Sequence, residues 1–269
     1  MPPDASTAQK LGALRELLWE HRPLLIAYSG GVDSSFLLAT AAEAVGSDCL
    51  GVIADSPSLP RAALQDALQL AQSLGITVEV VATSEMDDSN YTSNPINRCY
   101  FCKAELFRRL DLLAEERGFR AIAYGENADD ARQVRPGRQA ASEFRVLAPL
   151  RAVGLTKSEI RALSRTIHLP TAEAPAQPCL SSRIPHGTPV TPMALGMIER
   201  AEEIVRDFGF RVFRVRHHES ADRLQARVEI LPNEMALLNG LAEQLCAALQ
   251  SVGYDEVLID PKGYRSPLS

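Results

Sequence analysis

Leu24-Leu25-Ile26-Ala27-Tyr28-Ser29-Gly30-Gly31-Val32-Asp33-Ser34-Ser35-Phe36-Leu37-Leu38 is the stretch that decides the fold. The apolar run from Leu24 to Tyr28 is short enough for a buried strand. A glycine turn follows, Ser29 to Asp33, and then a helix is predicted from about Ser34 to Val45. Where a strand enters a helix through glycines, backbone N–H groups can approach an anion with no Cβ in the way. The helix N-terminus adds about half a unit of positive charge. Ser29 and Ser34 offer hydroxyls, and Asp33 can accept from an amide or hold magnesium. The turn is not a Walker loop, which ends in Gly-Lys-Ser/Thr, and not a GxGxxG.

The alternation repeats outward from that turn. A helix is expected before it, from about Ala8 to His21. After it come a strand at Leu50–Ala54, a helix at Pro60–Leu74 ending near Gly75, and a strand at Ile76–Val81. A helix at Lys103–Arg117, capped by Gly118, leads to a strand at Arg120–Tyr124. Strands alternating with helices predict an α/β fold: a mostly parallel sheet with helices on both faces and a site beyond the strands' carboxyl ends. Residues Asn127 to Leu150 read as irregular. Thr156 to Thr166 reads as a helix with a capping box, Thr156 and Glu159.

Pro170 to Pro192 holds six prolines and little periodicity, so the domain boundary is expected in it or just after it. Residues 1–180 are taken as the nucleotide-binding domain and 181–269 as a small α+β domain. In the latter, Met193–Phe208 and Asn233–Gln250 read as helices. Phe210–Arg216 and Arg223–Leu231 read as a hairpin, and Glu256–Ile259 as a last strand.

Composition bounds the function. Of 269 residues, 46% are hydrophobic and 23% charged, which excludes disordered and collagen-like classes. Lys plus Arg is 28 against 34 Asp plus Glu, a net charge of −6, which argues against nucleic acid as the partner. No apolar run reaches the roughly 18 residues of a membrane span, and the opening MPPDASTAQK lacks a signal's apolar core. The protein is therefore expected in the cytoplasm, without a membrane partner.

Five cysteines are too few, and odd in number, for a disulfide framework. Cys49 and Cys246 sit among apolar neighbours and read as small buried hydrophobes. Cys99 and Cys102 form a CxxC expected just before a helix, and Cys179 stands alone in the proline-rich loop. A redox dithiol, a zinc site and a three-cysteine iron–sulfur cluster all remain open on these residues. His217 and His218 read as exposed hairpin residues. Asp129 and Asp130 are as readily a turn or helix cap as a site.

Further segments narrow the reading. SGGVDS at 29–34 resembles the PP-loop of ATP pyrophosphatases, which adenylate a substrate and release pyrophosphate. Asp55-Ser56-Pro57 and Gly125-Glu126-Asn127-Ala128-Asp129-Asp130 follow the second and fourth strands. Arg135-Pro136-Gly137, Leu155-Thr156-Lys157, Cys179-Leu180-Ser181-Ser182-Arg183 and Arg214-Val215-Arg216 come later. In this order they resemble the LarE family, over nearly the whole chain.

That resemblance implies a sulfurtransferase with a PP-loop (adenine nucleotide alpha hydrolase-like) domain. It would convert the carboxylates of pyridinium-3,5-biscarboxylic acid mononucleotide into thiocarboxylates for the nickel-pincer nucleotide cofactor. It implies ATP and Mg2+ at Ser29, Gly30, Gly31, Asp33 and Ser34, with Asp55, Arg61 and Gly125. Catalytic roles fall to Asp33 and Cys179, and the anionic substrate to Ser182, Arg183, Arg214 and Arg216. One branch of the family sacrifices the sulfur of a single cysteine, matched by Cys179. Another carries a [4Fe-4S] cluster, here on Cys99, Cys102 and Cys179, with an extra sulfide as the sulfur source. Implied partners are the nucleotide substrate, a sulfide donor, other nickel-pincer biosynthesis proteins and further copies of the chain. The rivals are a PP-loop tRNA thiolase, an amide-forming ligase such as NAD synthetase, and a zinc-stabilised module without catalysis.

Overall fold

A computed structural model describes residues 4–132, 136–220, 223–238 and 240–265. Along the chain run α1 (Ala5–Glu20), β1 (Leu24–Ala27), α2 (Val32–Val45), β2 (Cys49–Asp55), α3 (Arg61–Ser73) and β3 (Val78–Ala82). Then come α4 (Ser89–Thr92), α5 (Arg98–Arg117), β4 (Ala121–Tyr124), α6 (Pro136–Glu143), α7 (Pro149–Ala152) and α8 (Lys157–Thr166). The chain ends with α9 (Pro192–Asp207), β5 (Phe213–Ser220), β6 (Arg223–Ile230), α10 (Ala242–Gln250) and β7 (Glu256–Ile259). It divides into two compact units. The first holds residues up to Glu85 together with Asn97–Gln177; the second holds Met86–Ile96 together with residues from Pro178 on.

The first unit is an α/β layer structure. Its four strands are all parallel, in the order β3-β2-β1-β4. β1 is central and buried on both faces, which is why it reads as a continuous apolar run. Its alternate side chains feed two cores. Leu24 and Ile26 join Leu14 and Leu18 of α1, Phe36 and Leu37 of α2 and Ile160 of α8. Leu25 and Ala27 join Phe107 and Leu110 of α5 and Ala140 of α6. From β1 the chain builds outward through β2 to β3, then returns to lay β4 on the other side of β1. That reversal is the switch point at which α/β sheets open a crevice.

The second unit packs α9 and α10 on a three-stranded sheet of order β5-β6-β7. β5 and β6 form an antiparallel hairpin, and β7 lies parallel to β6. Val215, Ala226, Val228 and Ile230 face the helices with Phe210, Leu245 and Leu249.

Three expectations change. α5 begins at Arg98, so Cys99 and Cys102 lie in its first turn instead of ahead of it. The apolar stripe that drives the helix starts early, with Tyr100, Ala104 and Phe107 all packed on the sheet. The segment read as irregular holds α6 and α7, and Pro149 sits at the start of α7, where a missing N–H costs nothing. The helix expected over Asn233–Gln250 is split into a 3-10 run, Pro232–Leu238, and α10, with Gly240 between them. Among the described residues no helix is long and apolar enough to cross a membrane.

Candidate active site

The Ser29–Ser34 turn sits at the switch point of the first unit. Gly30 has φ +75°, and a Cβ there would lie 2.8 Å from the Cβ of Ala67. Gly125, leaving β4, runs against the start of α2: a Cβ on it would lie 2.7 Å from the Ser34 amide nitrogen. Both glycines are thus required by close approach, and Gly125 is a packing residue of the turn. The Ser34 hydroxyl donates to the Gly31 carbonyl (3.1 Å) and accepts from the Ser29 N–H (3.2 Å); the two serine hydroxyls lie 3.0 Å apart. Gly31 caps α2 with no side-chain hydrogen bond, so the helix's first amides keep their capacity for an anion.

Asp33 stands in that first turn, and two residues from beyond β4 hold it. Lys157 Nζ donates to Asp33 Oδ1 at 2.9 Å, and Asn127 Nδ2 to Oδ2 at 3.0 Å. Lys157 opens α8, where the Thr156–Glu159 capping box forms as predicted. Asp129 accepts from the Lys157 N–H (2.8 Å), and Asp130 from the Asn127 N–H (3.2 Å). These two acids are therefore a cap and a turn brace. Burial works to raise the Glu159 carboxyl, but Lys10 and the Thr156 N–H and hydroxyl outweigh it and hold the carboxyl at about 2.

A second polar network lies just after β4. The buried Glu126 carboxylate accepts from the Tyr124 hydroxyl (2.5 Å), Arg138 Nε (2.8 Å) and Arg151 Nη1 (2.9 Å). Burial works to raise its pKa, yet these donors hold it below the usual carboxylate range. On the β2 side, Arg61 pairs with Asp55 at 2.7 Å and donates to the Ser56 and Leu59 carbonyls, so the pair braces the loop into α3.

Cys99 and Cys102 are in no disulfide and stand three apart at the start of α5, hence on one side of it. Burial pushes the Cys49 thiol up to about 12 and raises that of Cys246, in keeping with inert packing residues. Arg135 lies outside the described residues.

In the second unit, Cys179 is a half-buried thiol, in no disulfide, that starts a 3-10 turn, Leu180–Arg183. Arg183 is buried and pairs through Nε and Nη2 with both carboxylate oxygens of Glu202, at 2.8 and 3.0 Å. Its Nη1 reaches the Pro178 and Cys179 carbonyls and the Ser182 hydroxyl. Arg183 therefore organises the loop that carries Cys179.

On β5, Arg214 and Arg216 share the face opposite the core. Arg216 forks onto Glu229 (3.1 and 3.2 Å) and donates Nη1 to the Ser182 carbonyl (2.9 Å). Arg214 is only 4% exposed, and its hydrogen bond goes to the Tyr264 hydroxyl at 3.1 Å, with the Tyr264 ring 4.7 Å away. Burial pulls its guanidinium below the usual value; Arg216 and Arg183 add like-charge repulsion, with Tyr264 and Glu229 partly offsetting it. A buried cation hydrogen-bonded to a phenol has the chemistry to receive an anion. His217 corrects an expectation: it is buried on the core face of β5, against the Tyr254 hydroxyl at 3.2 Å, and burial lowers its pKa.

Sequence reasoning quoted Glu126, Asn127 and Lys157 within the resemblance segments without giving them a role, and it passed over the segment before α5. Lys157 carried one signal: a lysine in the first turn of a helix opposes the dipole and needs a reason to be there. Among the described residues no group of three or more His, Cys, Asp or Glu is placed to hold a metal ion. The donor chemistry of Cys99, Cys102 and Cys179 nonetheless suits iron and sulfide.

Three relatives and one family model frame this geometry. The NAD synthase family model matches residues 20–124, the first strands and helices around the turn. An uncharacterized protein of Synechocystis sp. is 40% identical over 259 residues, covering 96% of this chain and 95% of that one. Pyridinium-3,5-bisthiocarboxylic acid mononucleotide synthase of Lactiplantibacillus plantarum is 29% identical over 263 residues, 97% and 94% of the two chains. An uncharacterized protein of Methanocaldococcus jannaschii is 25% identical over 248 residues, 92% and 93%.

Proposed function

We propose that this chain is a PP-loop ATP-dependent sulfurtransferase of the LarE family, acting on pyridinium-3,5-biscarboxylic acid mononucleotide; its full-length similarity to the pyridinium-3,5-bisthiocarboxylic acid mononucleotide synthase and the family match around the turn support this reading. The reading rests above all on Arg214. A buried guanidinium bonded to a phenol could take an anion, and Arg216 beside it is hydrogen-bonded to the loop that carries the Cys179 thiol. Phosphate recognition beside a sulfur nucleophile suits a small anionic nucleotide, and the chain's −6 charge disfavours the tRNA alternative.

Chemistry would start in the first unit. A carboxylate resists sulfur because its charge repels nucleophiles and oxide is a poor leaving group. Its oxygen would attack the α-phosphorus of ATP, and pyrophosphate would leave with the electron pair of the broken P–O bond. The first amides of α2 and the Lys157 ammonium would take the charge of the departing pyrophosphate. Asp33 would exchange Lys157 for the magnesium that accompanies ATP. Sulfur adding to the carboxyl carbon of the acyl adenylate then expels AMP, which keeps the electron pair of the broken C–O bond. Cys99, Cys102 and Cys179 are the residues that would hold a [4Fe-4S] cluster, which when bound supplies the sulfide. Ser182, Arg214 and Arg216 would hold the substrate's phosphate, while Arg183 keeps the loop in shape. The reading carries with it a sulfide donor, other nickel-pincer biosynthesis proteins, a homo-oligomer and the cytoplasm.

Anaerobically purified protein given ATP, magnesium and the biscarboxylate should release AMP and pyrophosphate with the thiocarboxylate. ADP and phosphate as products would overturn the PP-loop chemistry. Iron and acid-labile sulfide should be lost in Cys99→Ser, Cys102→Ser and Cys179→Ser and kept in Cys246→Ser. A single turnover that converts Cys179 to dehydroalanine, with full activity in Cys99→Ser, would remove the cluster and leave sulfur transfer standing.

A further inference from the structure

We propose that Tyr91 and Asn94 are positioning residues that clamp the Cys179 loop, so that delivery of sulfur, though not adenylation, depends on them. The proposal rests on the sulfur-transfer reading for what Cys179 does. Residues Met86–Ile96 lie in sequence between two stretches of the first unit yet belong to the second. A link from β3 to α5 needs no such excursion, and long loops in compact proteins usually serve a function.

Asn94 is completely buried and sits at φ 56°, in the left-handed region that Asn tolerates better than most residues. Its Nδ2 donates to the Pro185 and Thr188 carbonyls, both at 2.8 Å, with the Ile184 carbonyl at 3.4 Å. Its own carbonyl accepts from the Gly187 N–H at 3.0 Å, and the Thr92 carbonyl from the Val190 N–H at 2.8 Å. The loop beyond Cys179 is thus held by side-chain and backbone bonds in place of a regular ladder. A buried residue in a sparsely populated conformation persists where its surroundings over-determine it.

Tyr91 is 1% exposed, and its hydroxyl lies 2.6 Å from the Ser181 hydroxyl, two residues past Cys179. Next to Ser181, the Ser182 N–H closes the turn onto the Cys179 carbonyl at 2.9 Å. Arg183 grips the same turn through the Pro178 and Cys179 carbonyls. The thiol therefore stands on a turn fixed from two directions. Three residues after Asn94, Asn97 caps α5, whose first turn carries Cys99 and Cys102.

Asn94→Gly keeps the positive φ and removes the donors; Tyr91→Phe keeps the ring and removes one hydroxyl. Loss of one buried hydrogen bond should shift a local opening equilibrium about five- to tenfold. The assay counts thiocarboxylate formed per pyrophosphate released, alongside amide exchange of residues 180–190. In both variants that ratio should fall at least about fivefold and loop exchange should rise by a similar factor, with the KM for ATP within about twofold of the parent protein. A ratio unchanged in both variants, or a parallel fall of pyrophosphate and thiocarboxylate, would overturn the proposal. If the parent protein forms no thiocarboxylate, the sulfur-transfer reading fails by itself. Unchanged loop exchange in Tyr91→Phe would then still overturn the clamp.

Discussion

Arg183→Met tests the ion pair beneath the Cys179 loop. The side chains of Arg183 and Glu202 are 7% and 9% exposed, so the pair is buried. Removing the arginine deletes five hydrogen bonds: two to Glu202 and three to the Pro178 and Cys179 carbonyls and the Ser182 hydroxyl. Glu202 would be left with the Val215 N–H at 3.1 Å as its hydrogen-bond donor. Breaking a buried pair on one side costs about 3–5 kcal/mol, most of it the stranded charge. Replacing both partners with methionine removes that charge. The double variant should then cost about 1–2 kcal/mol, chiefly for the Val215 N–H and the two loop carbonyls that lose partners. The two changes should therefore be strongly non-additive, with a coupling of about 2 kcal/mol or more. Native-state hydrogen exchange of α9 and β5 amides measures this in the unit concerned. If the double variant loses as much as the two single variants together, the pair is not the unit of stability argued here. A loss below about 1 kcal/mol in Arg183→Met would refute the stranded-charge reasoning directly.

Lys157→Met should raise the KM for magnesium-ATP about tenfold or more, the worth of one charge-assisted contact to phosphate, and Asp33→Asn should remove pyrophosphate release; an unchanged KM would return Lys157 to a purely structural role. Glu159 gives a pH dependence with a definite sign. Its folded carboxyl lies at about 2 against an ordinary 4.5, so the stability it lends to the α1–α8 contact is complete above about pH 4.5 and is lost as the pH falls toward 2. Urea midpoints followed through that window should separate the parent protein from Glu159→Gln above pH 4.5 and converge at low pH, and parallel curves would contradict it.

The parallel sheet and its switch-point turn were legible because burial on both faces writes β1 as an unbroken apolar run beside an unmistakable glycine turn. The capping box of α8 was legible because its two partners lie three residues apart. What escaped was whatever depends on distant sequence. Asp33 meets Lys157 across 124 residues and Asn127 across 94, and no local pattern shows that either reaches Asp33. The first turn of α5 was missed for another reason. Cys99 and Cys102 draw the eye as ligands, while the helical stripe that includes Tyr100 was already running beneath them. His217 failed on a single step of strand register, since period-two alternation puts it with Val215 in the core and Arg214 and Arg216 on the other face.

Arg214 and Arg216 read alike in the sequence, two apart on one strand face, and the structure gives them different work. Arg216 has a bidentate acid partner in Glu229, so its charge is already compensated, and its remaining reach goes to the Ser182 carbonyl. Arg214 is the more deeply buried, and its hydrogen bond goes to a phenol, with Glu229 across from it on β6 offsetting part of the repulsion from Arg183 and Arg216. An arriving phosphate would relieve Arg214 first. Through Arg216 and Ser182 it would meet the same turn that Arg183, Tyr91 and Asn94 hold from other sides. Arg216, Ser182 and Arg183 thus share one hydrogen-bonded network around the Cys179 turn within the second unit, and on the proposed reading anion recognition would act through it. Substitutions that empty the arginine face are expected to loosen the thiol loop as well, an order of events that a sequence pattern of separate motifs cannot express.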